Sequence, residues 1–180
     1  MINKLLNIIE FIPISVFGLI FSFTRENGVN WKFVFILGAC LAVIGKALLM
    51  ARRFPLDRIF LGADVFLVVG GTGFLFNISL ILHIYGTLFH ATLFAALLAV
   101  GIFTTFLTER GFVGIKHHDR SRVIHYSMYL LGAGVVAFLI SFLSRGNVFL
   151  AWILPFTGMM AINWILAKRL RNSGLNISKA

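Results

Sequence analysis

A single cysteine, Cys40, excludes a disulfide within the chain and argues against thiol redox chemistry. Charge is also scarce: 12% of the residues are Asp, Glu, Lys or Arg, whereas 59% are hydrophobic and 20 are Phe. A soluble fold cannot hide that much apolar surface. No stretch is polar enough to form a soluble module with a basic face and exposed aromatics, so nucleic acid is not an expected partner. No small-x-small cleavage site follows the apolar run after Lys4. That run is expected to be a retained first helix rather than a signal peptide.

What is present is a series of apolar stretches of about 20 residues, the length that crosses a bilayer core. They predict an all-α, polytopic six-helix transmembrane bundle forming one domain, with helices over 5–23, 33–51, 59–78, 88–107, 123–142 and 148–167. Between the third and fourth, residues 77–86 carry no charge, and either a loop or a re-entrant segment fits there. Phe21 to Arg25, Trp31 and Ala51-Arg52-Arg53 parallel Ile140 to Arg145, Trp152 and Ala167-Lys168-Arg169. Three repeated hairpins would explain the parallel, as in transporters built from repeats; shared composition explains it too.

Basic residues set the expected orientation, because cytoplasmic loops retain Lys and Arg. Twelve fall on one side: Lys4, Arg52, Arg53, Arg58, Arg110, Lys116, Arg120, Arg122, Lys168, Arg169, Arg171 and Lys179. The other side holds Arg25, Lys32 and Arg145. This asymmetry predicts a bacterial inner-membrane protein with both termini cytoplasmic, and it accounts for the net charge of +10 by contact with anionic headgroups. Arg110, Lys116, Arg120 and Arg122 are the expected headgroup-binding residues.

Lys46 and Asp64 stand inside apolar spans, six residues before Arg52 and six after Arg58. At 1.5 Å per residue each is about 9 Å from its helix end, so antiparallel neighbours can bring them together. Such a pair either serves a cavity for a substrate or proton, or fixes helix register. Glu10 before Pro13, Thr104 and Thr105, His125, and Asn163 lie at similar depth, which points to a shared polar cavity for a small molecule or ion. Gly70-Gly71-Thr72-Gly73 falls within the third span, where either a helix break or a smooth packing face fits, the latter preferred.

No metal or cofactor is expected. His90 and His125 belong to opposite ends of their spans, His83 and His90 are too far apart to share an ion, and His117-His118 sit among basic residues that repel cations. The leading expectation is a small transporter or channel-like carrier with a cytoplasm-facing cavity around Lys46 and Asp64. The alternatives are a membrane-embedded enzyme acting on lipid through His125, Glu109, Glu10 and the 108–122 loop, and a non-catalytic subunit organising an envelope complex. No nucleophile, base and orienting group can be read together, which disfavours an enzyme. Expected partners are the bilayer, the unidentified substrate, and either further copies of the chain or a membrane complex. Glu10-Phe11-Ile12-Pro13 with Trp31-Lys32 resembles the opening of bacterial septation-protein-A-like membrane proteins. No fold, activity or site residue is carried over from it.

Overall fold

The computed structural model describes residues 2–24, 31–52, 54, 56–144 and 147–177. Arg25, Arg53, Pro55, Arg145 and Lys179 lie outside the described residues, as do the side chains of Lys4 and of 21–24. The described chain is helical, with no strand. Its elements are α1 (Ile2–Thr24), α2 (Trp31–Ala51), α3 (Arg58–Leu75), α4 (Ser79–Leu88), α5 (Ala91–Leu107), α6 (Arg120–Leu143), a π-helical turn (Phe149–Ile153) and α7 (Leu154–Ile177).

Helix starts are set by short polar side chains that satisfy first-turn N–H groups. Asp57 Oδ1 accepts from Ile59 N at 2.8 Å to open α3, and Asp119 Oδ1 accepts from Ser121 N at 2.9 Å to open α6. Asn147 Oδ1 accepts from Phe149 N at 3.0 Å and so begins the π-helical turn. Helix α3 ends before Asn77, whose φ of 52° is a left-handed conformation that Asn tolerates better than most residues. The 77–86 region is thus largely the separate helix α4, and a break at Phe89-His90 precedes α5.

Among the described residues, α2, α3, α6 and the continuous Phe149–Asn172 stretch are long and apolar enough to cross a membrane, and α4 with α5 add a fifth if they form one broken span. Helix α1 contributes the shorter apolar stretch Ile9–Ile20.

The chain divides into two compact units, Met1–Thr87 and Leu88–Ala180. In the first, α2 packs along α3 and α1 lies against both. Phe17, Phe35, Phe66 and Tyr85 form an aromatic centre, with Phe17 edge-on to Phe35 at 4.9 Å and Phe66 stacked on Tyr85 at 5.4 Å. The Tyr85 hydroxyl donates to Phe66 O at 2.5 Å, fastening α4 to α3. Helix α3 runs unbroken through its glycines, which serve close approach: a Cβ on Gly70 would lie 2.5 Å from the Phe35 ring, and one on Gly71 would lie 2.5 Å from Ala39 Cβ.

In the second unit, α6 packs against α5 and α7. Leu93, Phe94 and Leu97 of α5 and Leu130 of α6 are buried in its centre. The segment between α5 and α6 turns inward: Phe112 is fully buried, and its N–H donates to Ser127 Oγ of α6 at 2.9 Å. Gly111 takes a φ of 56° at this turn. A side chain there would be strained as well as crowded by Ser127 and Val123.

Candidate functional site

The first unit contains a buried charge cluster assembled from three helices. Lys46 Nζ of α2 lies 3.0 Å from Asp64 Oδ2 of α3 and 3.0 Å from Glu10 Oε1 of α1. The side chains are 13%, 7% and 6% exposed, respectively, so solvent screening at the contacts is weak. Glu10 Oε1 also accepts from Asp57 N at 2.8 Å, which ties α1 to the start of α3.

Local sequence explains this convergence. Gly45 leaves a shallow place on α2 where Ile9 and Pro13 of α1 approach, and Glu10 stands between them in sequence. Pro13 lacks the N–H that would bond to the Ile9 carbonyl. Asp57 faces opposing influences: burial pushes its carboxyl above the ordinary value, while the N–H groups of Ile59 and Phe60 and the charges of Lys46 and Arg58 pull it down. Asp57 thus adds a further carboxyl within reach of the Lys46 charge, and Arg58 acts on that carboxyl in turn. Arg58 Nε is buried and has no hydrogen-bond partner among the described residues.

The remaining cavity candidates lie in the second unit. Thr104 Oγ1 donates to Val100 O at 2.8 Å, and Thr105 Oγ1 donates to Gly101 O at 2.7 Å. Both hydroxyls thus spend their proton on their own helix. Asn163 Oδ1 is buried and has no hydrogen-bond partner among the described residues. His125 is exposed on α6 and edge-on to Tyr129 at 4.8 Å. It lines a cleft of about 490 Å³ between α6 and α7.

The expected headgroup residues are all exposed, but three have partners. Lys116 lies 2.6 Å from Glu109 Oε2 and Arg122 lies 3.4 Å from Asp119 Oδ2. Arg120 donates to Phe106 O at 3.0 Å. The Lys116 ammonium holds the Glu109 carboxyl below its ordinary value. Of the enzyme candidates, Glu10 and Glu109 are thus each engaged by a lysine. Among the described residues, no group of three His, Cys, Asp or Glu side chains could hold a metal ion.

Depth along its helix puts Glu10 among the cavity candidates, but depth says nothing about rotation, and the contact of Glu10 with Lys46 is visible only in the structure. Arg169 of α7, which lines the α6–α7 cleft, was counted only as a loop charge; the signal was its spacing from Ile162 and Leu166 on one helix face.

Among the described residues, fold and cluster define an all-helical protein with several helices fit to span a membrane and a buried group of one base and two acids. No family model matches the chain, and no curated protein or solved structure matches it either.

Proposed function

We propose that the chain is a small membrane transport protein, a channel-like carrier, whose exchange site is Glu10, Lys46 and Asp64. The observation that carries this reading is the unequal charge count: a single ammonium lies 3.0 Å from each of two carboxylates. A clamp that only fixed helix register would need one acid, and each further buried charge adds a desolvation cost. The surplus carboxylate is a place for an exchangeable proton or small cation, and ionisable groups inside a span commonly mark such paths. In this reading six crossings arranged as three hairpins put the site toward the cytoplasm in a bacterial inner membrane, with both termini on that side, as the basic residues suggest.

The test is flux through purified protein in liposomes, followed with an internal pH dye and with monovalent cations on one side. Asp64→Asn and Glu10→Gln should each abolish flux while the protein remains folded and monodisperse. Undiminished flux in the triple variant Glu10→Gln/Lys46→Met/Asp64→Asn would reject the site.

A second reading, a non-catalytic subunit of a membrane complex, is favoured by how tightly the three side chains close on one another. It expects Lys46→Met/Asp64→Asn to retain full activity in cells, since neutral groups can fill the same space.

A further inference from the structure

We propose that the cleft between α6 and α7 is a binding site for an anionic phospholipid, with the phosphate at Arg169 and an acyl chain along the groove. This inference concerns the second unit alone and does not depend on the transport reading.

The walls of the cleft are graded. Helix α6 lines it with His125, Tyr129 and Ala133, spaced four residues apart, and α7 lines it with Ile162, Leu166 and Arg169. Residues three or four apart share a helix face, so each wall is one continuous stripe. On both walls the polar member stands toward the end of the helix that bears the basic residues, and the apolar members stand further into the span. Eight residues from His125 to Ala133 make the groove about 12 Å long.

The polar end suits a phosphate. Arg169 offers a planar fork of donors matched to phosphate oxygens, and the hydroxyl of Tyr126, also in the lining, adds another donor. Among the described residues, no carboxylate lines the cleft to compete for the guanidinium. The adjacent cation differs: Lys168 lies over the Trp164 ring at 5.1 Å and is not part of the lining.

The apolar end suits a hydrocarbon chain. Ala133 is small and so leaves the α6 wall open at this end of the cleft. The cleft, about 490 Å³ in volume, is open along its outer side, as a groove that takes a chain from the surrounding lipid would be. A phospholipid brings the anion and the chain together, whereas free phosphate would leave the stripe of Tyr129, Ala133, Ile162 and Leu166 unused.

The test measures binding to the full chain purified in a neutral detergent, by native mass spectrometry, with three probes: dioleoyl-phosphatidylglycerol, dioleoyl-phosphatidylcholine and chain-free glycerol phosphate. Phosphatidylglycerol should bind most tightly. Arg169→Gln should weaken it about tenfold, the value of one charge-assisted contact, and Arg171→Gln should leave it unchanged. Ala133→Trp should weaken phosphatidylglycerol similarly by filling the groove without altering charge; Ile162→Trp on the facing wall serves if that variant does not fold. Equal losses from Arg169→Gln and Arg171→Gln would overturn the site in favour of a diffuse basic surface. Glycerol phosphate binding as tightly as phosphatidylglycerol would overturn the lipid as its occupant, and so would unchanged binding in both tryptophan variants.

Discussion

Removing Lys46 should cost far more than removing either of its acids. In Lys46→Met, Glu10 and Asp64 lose the ammonium that lies 3.0 Å from each and remain as two uncompensated, buried carboxyls. Breaking a buried ion pair in this way costs about 3–5 kcal/mol. At about 2–4 °C per kcal/mol for a chain of this size, the low end alone predicts a fall in Tm of about 6–12 °C. In Asp64→Asn, Lys46 keeps Glu10 and the cluster becomes neutral, so the loss is one charge-assisted hydrogen bond, about 1.5 kcal/mol. Glu10→Gln should behave alike, because its amide oxygen can still accept from Asp57 N. Thermal unfolding in one detergent, followed by intrinsic fluorescence for all three variants and for Lys46→Met/Asp64→Asn, reads the pattern. The double variant should be more stable than Lys46→Met, since one stranded charge has been removed. Equal Tm values for Lys46→Met and Asp64→Asn would refute the reasoning, and would mean that water already screens the cluster.

Gly70→Ala should destabilise by about 1–3 kcal/mol through overpacking against Phe35 and Tyr85, whereas Gly132→Ala, with open space around it, should leave Tm unchanged or raised; parallel melting curves decide. Ser127→Ala strands the buried Phe112 N–H, at about 1–3 kcal/mol, and hydrogen exchange at Phe112 should quicken before that of α5. The Glu109 carboxyl lies below its ordinary value because of Lys116, so the pair supports the folded state above that ordinary value and loses its contribution as pH falls through the lowered one. An NMR titration should show the Glu109 midpoint moving up in Lys116→Gln.

The apolar segments announced the helices because hydrocarbon length is a one-dimensional property. Their ends were less legible, for local reasons. Asp119 caps α6 at Arg120, three residues before its apolar run, and α7 continues past Lys168 because a helix does not need to stop where apolar character does. The 77–86 stretch, where a loop and a re-entrant segment fit the sequence equally, is mostly α4, whose docking depends on Tyr85 meeting Phe66 and on the bare Gly70 surface. Contacts of that kind have no signature along the chain. Equal depth brought Lys46 and Asp64 together on paper, and they do lie 3.0 Å apart. Depth treats Glu10, Thr104 and Thr105 identically, however, whereas rotation about the helix axis sends Glu10 to Lys46 and the threonine hydroxyls to carbonyls of α5.

The widened turn at Phe149–Ile153, where the N–H of Leu154 bonds to Phe149 O, carries one residue more than an α-helical turn accommodates. Each residue advances a helix by about 100°, so side chains on the two sides of this turn are out of phase by that amount. A side-chain stripe that begins before this turn therefore does not continue in line along α7, whose faces are rotated by that amount from where an uninterrupted α-helix would set them.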